Sequence, residues 1–264
     1  MTEFPSHPER RPAVVSGASS GIGEAVARAL AAAGHPVALG ARRTDRCAEI
    51  AREITAAGGE AIAIELDVAN PGSVKDFVAE SERALGDIEV FVSNAGFSVP
   101  ALAVEADPED FARAIEVNLL GAQRLVSLIA PKMVERRRGD IVFVTSESVH
   151  DPWPGIAPYV SSKWGLEGLA RSMQMELEGT GVRTAIVRPG PTQTEMGTRW
   201  DLTNIGEVVD RFHHWGVFRH FNLMSPAIVA AVIVQIVGTA RGAQVTLVDV
   251  QPEAPIKDEG GEPA

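Results

Sequence analysis

The chain has 264 residues, 45% of them hydrophobic, which is ample for a sizeable core in one or two domains, and its net charge of −11 argues against a nucleic-acid partner held through phosphates. Residues 1–11 are polar and proline-bearing, unlike a secretory signal, and the longest apolar run, 227–237 broken by Gln235, is too short to span a bilayer. The single cysteine, Cys47, allows no internal disulfide, so a cytoplasmic protein without a membrane partner is expected.

In chain order, strand and helix alternate. Residues 13–16 read as a short apolar strand entering a glycine turn, and 21–33 as a helix ended by Gly34. Strand two is 37–41, followed by a helix over 44–57 that ends at Gly58-Gly59. Strand three is 61–66, then Asp67-Val68 and a helix over about 71–85; strand four is 88–93. One long helix runs from about 107 to 134 after an Asp-Pro start, and strand five is 141–145. The helix carrying Tyr159 reaches about 178, strand six is 182–188, an apolar helix starts at Pro226, and a last strand lies near 245–250. Near-continuous apolar strands alternating with helices predict an α/β fold with a parallel sheet covered on both faces. Residues 1–11 and 251–264 are expected to be mobile tails around one domain over 12–250.

Ser16-Gly17-Ala18-Ser19-Ser20-Gly21-Ile22-Gly23 follows the first strand and opens the first helix. There, glycines permit close backbone approach, and a helix N-terminus offers free N–H groups to a pyrophosphate. An ordinary glycine-rich turn is the plainer alternative.

Tyr159 is the only tyrosine, and Lys163 follows four residues later, one helical turn along the same face. A free phenol titrates near 10, and a neighbouring ammonium favours the phenolate and lowers that value. A tuned tyrosine can pass a proton to or from an oxygen. Taken alone, the pair reads more simply as a tyrosine beside a snorkelling lysine.

The surrounding motifs decide. Asn94-Ala95-Gly96 after strand four, Asn118 in the long helix, Ser146 after strand five and Pro189-Gly190 after strand six stand in order with the glycine turn and Tyr159/Lys163. Over about residues 13–250 the chain resembles the short-chain dehydrogenases/reductases, in their compact single-domain branch. Two departures are mild: Ser16 replaces a usual threonine and Ser93 a usual asparagine.

The resemblance implies a Rossmann-like, doubly wound sheet of about seven parallel strands. It implies Tyr159 as general acid/base, Ser146 orienting the substrate oxygen, Lys163 holding the nicotinamide ribose and lowering the tyrosine pKa, and Asn118 holding a water in a proton relay. The cofactor contacts it implies are Gly17, Ser19, Ser20, Gly21, Ile22 and Gly23 of the turn, the adenine-contacting Asp67 and Val68, then Asn94, Ala95 and Gly96, Tyr159 and Lys163, and Pro189, Gly190, Thr192 and Thr194. Folds preferring NAD(H) place an acid after strand two; here Arg42 and Arg43 stand there, with no acid before Asp45. Arginine binds a 2′-phosphate bidentately, so NADP(H) is expected. A solvated arginine pair is the alternative.

Residues 192–225 form a segment too long for a plain connection and hold Trp200, Phe212, Trp215, Phe218 and Phe221. These rings either form a structural layer or roof a substrate pocket with Phe97, Ser148 and Trp153. The adjacent His213-His214 lack a convincing set of further metal ligands, and Arg136-Arg137-Arg138 complement a helix dipole. The apolar 227–237 helix and last strand form a subunit interface in similar proteins, so a homo-tetramer or dimer is expected. The expected reaction is NADP(H)-dependent interconversion of a secondary alcohol and a ketone on a lipophilic substrate. A 3-oxoacyl thioester is the runner-up, and a non-catalytic dinucleotide-binding regulator the reading from another class.

Overall fold

The structure, a computed structural model, describes residues 4–196, 202–217, 220 and 222–256. Seven strands form one sheet: β1 Ala13–Ser16, β2 Val37–Ala41, β3 Ala61–Glu65, β4 Val90–Ser93, β5 Gly139–Val144, β6 Val182–Pro189 and β7 Leu247–Val250. Their order is β3-β2-β1-β4-β5-β6-β7, and every pair is parallel. The strand order reverses between β1 and β4. In such sheets, ligands bind beyond the strands' C-terminal ends at that point.

Side chains on a strand alternate between faces, and the core divides accordingly. Val15, Leu39, Val92, Val144 and Val187 point to a layer holding α1 (Gly21–Ala32), α2 (Thr44–Ala56) and α8 (Pro226–Gly238). Val14, Ala38, Phe91, Phe143 and Ile186 point to the opposite layer, with α3 (Pro71–Leu85), α5 (Gly121–Glu135) and α6 (Ala157–Glu176). The apolar α8 is covered where Val229, Ala230, Ile233 and Val237 meet the core, while Ile228 stays half-exposed. No helix among the described residues is long and apolar enough to cross a membrane.

Several expected bounds change. The single helix over 107–134 is two: α4 (Pro108–Ile115) runs into a π-helical turn at Glu116–Leu120 before α5 begins. β4 begins at Val90 rather than at residue 88, and the Glu89 carboxylate beside it is buried in a contact with Arg138 Nε at 2.7 Å. Residues 7–11, within the segment expected to be a tail, make contacts with the body of the domain. His7 Nε2 lies 2.9 Å from the Thr239 carbonyl, Arg10 bonds the Leu85 carbonyl, and Arg11 is buried against Asp140. At the other end, Asn222 Nδ2 donates to the Glu253 carbonyl at 2.8 Å. Residues 257–264 lie outside the described residues.

Candidate active site

The turn after β1 is built for an anion. Gly17 (φ 70°) and Gly21 (φ 57°) adopt left-handed backbone that a side chain would strain. A Cβ on Gly23 would stand 2.3 Å from the Gly17 carbonyl oxygen, so only glycine lets α1 start this close to the turn. Ser20 sits at the N-cap of α1, but its hydroxyl caps nothing there and instead accepts from Arg43 Nη2 at 2.7 Å. The N–H groups at the start of α1 therefore remain available to a phosphate. Ser16 explains why the serine-for-threonine departure is harmless: its hydroxyl accepts from the Asn94 and Ala95 N–H groups at 3.0 and 3.1 Å. Asn94 Nδ2 returns a bond to the Ser16 carbonyl at 3.1 Å, locking the β1 and β4 loops together. These residues fit a dinucleotide's pyrophosphate.

Of the two arginines, it is Arg43 that meets the turn. Its Nε donates to Ser19 Oγ at 3.1 Å and its Nη2 to Ser20. Arg42 is exposed and shows no hydrogen bond or ion pair among the described residues. Asp67 Oδ1 accepts from the Ala69 N–H at 3.0 Å, and buried Val68 packs where a Cβ on Gly121 would stand 2.7 Å away, so α5 crosses closely behind this loop.

Tyr159, Ser146, Lys163 and Asn118 converge at the C-terminal ends of β4 and β5. The Ser146 hydroxyl accepts from the Ser148 N–H at 3.2 Å and lies near enough to the Tyr159 phenol to favour its ionised form, and Lys163 Nζ, within the core, donates to the Val144 carbonyl at 2.8 Å. The ammonium lies 5.6 Å from the tyrosine ring centroid. Burial pushes the phenol up to about 12, against the lowering bond from Ser146, while the Glu147 carboxylate pushes it further up. Desolvation of the phenolate is the largest cause, so the phenol stands above its ordinary value, opposite in direction to the lowering expected from Lys163. The same burial pushes Lys163 down to about 8.

Asn118 lies within the π-helical turn, where one extra residue turns its side chain out of the helix. Its amide grips Phe97 from both sides, accepting from the Phe97 N–H at 2.6 Å and donating to its carbonyl at 2.8 Å. It also donates to Ser162 Oγ at 2.7 Å, and that hydroxyl donates to the Tyr159 carbonyl at 2.7 Å. Asn118 thus ties the loop after β4 to the helix carrying Tyr159.

The stretch after β6 lies back across the turn. Thr192 Oγ1 donates to the Gly190 carbonyl at 2.8 Å, Thr194 stands 3.2 Å from where a Cβ on Gly21 would be, and Met196 3.3 Å from one on Gly96. Helix α7 (Leu202–His214) follows. Phe212 is buried against Trp153, with ring centroids 4.8 Å apart, in a small cluster with Ile156, Tyr159, Val160 and Val217. Trp153 and Trp215 line an open cleft of about 800 Å³ with Glu147, Asp151, Val217 and Gln251. Phe212 therefore packs structurally, and Trp215 lines the cleft. Ser148 is buried, its hydroxyl without a partner among the described residues, and Phe97 lies under Arg113, whose guanidinium carbon is 4.6 Å from the ring centroid. Trp200, Phe218 and Phe221 lie outside the described residues. Among those residues no cluster of three or more His, Cys, Asp or Glu could hold a metal ion.

Sequence reasoning missed three participants. Gly190 is hemmed in by Gln251 Oε1 and Glu147 Oε2, at 2.3 and 3.0 Å from where its Cβ would be. The β6–β7 register, Pro189 beside Val250, brings Gln251 there, and no local signal announces it. The third is Glu195, which meets Arg43 from 152 residues away.

The profile of the short chain dehydrogenase family matches residues 11–204. A short chain dehydrogenase of Pseudocercospora fijiensis is 35% identical over 204 residues, covering 76% of this chain and 66%, just under two thirds, of that protein. A 3-oxoacyl-[acyl-carrier-protein] reductase of Synechocystis is 35% identical over 185 residues, 70% of this chain and 75% of that one. Among solved structures, the alcohol dehydrogenase of Thermococcus sibiricus complexed with 5-hydroxy-NADP superposes with a TM-score of 0.79 at 31% identity, covering 93% of this chain and 100% of that one. With the glycine turn, the seven-stranded order and the Ser146–Tyr159–Lys163 cluster in place, these matches identify the chain as an oxidoreductase of the short-chain dehydrogenase/reductase family.

Proposed function

We propose that the protein is an NADP(H)-dependent oxidoreductase that interconverts a secondary alcohol and a ketone. The observation that carries this is Ser146 beside the Tyr159 phenol with Lys163 one turn along the same helix, at the C-terminal end of β5, two strands from β1 and its glycine turn. NADP(H), when bound, supplies or accepts the hydride. Tyr159 gives its phenolic proton to the carbonyl oxygen in reduction and takes it back in oxidation. Ser146 orients the same oxygen, Lys163 holds the nicotinamide ribose, and Asn118 fixes the loop after β4 and holds a relay water. Ser19, Ser20, Arg43 and, from its exposed position, Arg42 would take the 2′-phosphate. The NADP derivative bound by the Thermococcus relative supports this choice.

The cleft's Trp153, Trp215 and Val217 favour a substrate with an apolar body. The Synechocystis relative keeps a 3-oxoacyl thioester as the second reading. A regulator without catalysis would have no use for the assembled Ser146–Tyr159 pair. The test is turnover of a panel of ketones, alcohols and 3-oxoacyl thioesters with NADPH and with NADH. Reduction of bulky apolar ketones with NADPH is expected; tight cofactor binding with no turnover of any member would sink the enzymatic reading. A homo-oligomer joined through α8 and β7 belongs to the same reading, supported by half-exposed Ile228, and a monomeric mass by light scattering would remove it.

The acid and base values set a pH dependence. With Tyr159 pushed up to about 12, its phenol stays protonated across the neutral range and is ready to donate. Lys163, pushed down to about 8, loses its charge as pH rises through that value. Reduction is therefore expected to hold steady below pH 8 and to decline above it. A profile flat to pH 10 would mean that Lys163 keeps its proton.

A further inference from the structure

The strap between β6 and α7 places a carboxylate in the anion site of the glycine turn. Glu195 Oε2 accepts from Arg43 Nη1 at 2.8 Å while the same guanidinium reaches Ser19 and Ser20 at 3.1 and 2.7 Å. Ser20 also bonds the Glu195 carboxylate, and Arg46 adds a longer-range attraction. These contacts hold Glu195 below the ordinary carboxylate range, the Arg43 bond being the largest cause, so it is an anion at neutral pH. Its neighbours fix it over the turn, Thr194 lying against Gly21 and Met196 against Gly96. The side chains of Arg43 and Glu195 are 37% and 42% exposed, so a second anion can reach the pair from solvent.

We propose that Glu195 is a specificity-determining residue which competes with the cofactor's 2′-phosphate for Arg43 and Ser20, so that filling the phosphate site releases the strap at 194–196. This rests on the NADP(H) reading above. A phosphate dianion carries more charge than a carboxylate and presents three oxygens to the fork of an arginine. The two anions cannot share one guanidinium and one hydroxyl without like-charge repulsion. NADP(H) therefore displaces Glu195, whereas NAD(H), with a neutral 2′-hydroxyl, leaves the ion pair standing. Because the pair is partly exposed, it is weak enough to be displaced. The coupling is reciprocal: whatever holds Glu195 on Arg43 weakens the 2′-phosphate, and the phosphate loosens Glu195 by the same factor.

The test is calorimetric titration of the full-length protein, with Glu195→Gln and Arg43→Ala, against NADP+, NAD+ and adenosine 2′,5′-bisphosphate, which carries the phosphate without the nicotinamide. Glu195 is half-exposed, so its change to Gln leaves no buried charge behind. Glu195→Gln is expected to bind NADP+ and the bisphosphate about tenfold tighter, with NAD+ binding unchanged to within about twofold. In the wild-type protein, hydrogen exchange at residues 194–196 is expected to rise when the bisphosphate binds, although no substrate is present. Unchanged NADP+ affinity in Glu195→Gln, alongside a wild-type preference for NADP+ that Arg43→Ala abolishes, would overturn the competition and leave the cofactor reading intact. Weaker NAD+ binding in Glu195→Gln would overturn it too, making Glu195 a ligand of the ribose hydroxyl. Equal binding of NADP+ and NAD+ by wild type and Arg43→Ala would sink the cofactor reading itself.

Discussion

Tyr159→Phe is expected to lose turnover by about 10²–10⁴-fold, the usual contribution of a general acid or base, while NADP+ still binds. The substitution removes one oxygen and keeps the ring that packs with Ile156, Phe212 and Val217, so the fold should hold. Lys163→Ala should differ in kind. It removes a buried amine bonded to the Val144 carbonyl, and it should weaken cofactor binding together with the rate. The pair of variants is read by steady-state turnover and by NADP+ titration. A Tyr159→Phe protein retaining near-normal kcat would mean that the proton travels by another group, and Tyr159 would then be a packing residue.

The fold was legible because its signals are local. Most of the β-strands carry a short apolar run, and the helices carry local start or stop signals. Asn70 caps α3 by accepting from the Gly72 and Ser73 N–H groups, and Asp107 caps α4 from Glu109. The glycine turn is equally local, since positive φ at Gly17 and Gly21 is demanded within a few residues. The π-helical turn was not legible, because it answers a tertiary need: Asn118 must leave its helix to grip Phe97, 21 residues earlier. The same reason hid Glu195 and Gln251. Each meets its partner across a register set by the whole sheet, and nothing in the neighbouring sequence points to Arg43 or Gly190. A one-turn spacing reveals the ammonium beside Tyr159 but not the desolvation that raises the phenol, which depends on elements far along the chain.

Asp140→Ala is expected to be the most destabilising single change outside the active site. Asp140 is the second residue of β5, and its carboxylate is 5% exposed. It accepts from Arg11 Nη2, and from Arg183 at 2.6 and 3.1 Å. Those arginines continue outward: Arg11 Nη1 donates to the Val237 carbonyl at 2.7 Å, and Arg183 Nη1 to the Thr239 carbonyl at 2.8 Å. One carboxylate therefore fastens the segment before β1, the start of β6 and the end of α8. A buried ion pair gains little over a well-packed apolar substitute, but removing one partner leaves the other charge uncompensated, at a cost of about 3–5 kcal/mol. Here two guanidinium groups, 6% and 11% exposed, would be left without their anion. For a chain of this length that corresponds to a fall in Tm of roughly 6–20 °C. Glu60→Ala supplies the contrast, since it breaks the Arg10–Glu60 pair, whose side chains are 51% and 53% exposed. Such surface pairs contribute about 0–1 kcal/mol, so its Tm should barely move. Thermal unfolding of the two variants beside the wild type is the measurement. If Asp140→Ala melted no earlier than Glu60→Ala, the three-way junction would not be what holds the N-terminal segment and α8 to the sheet.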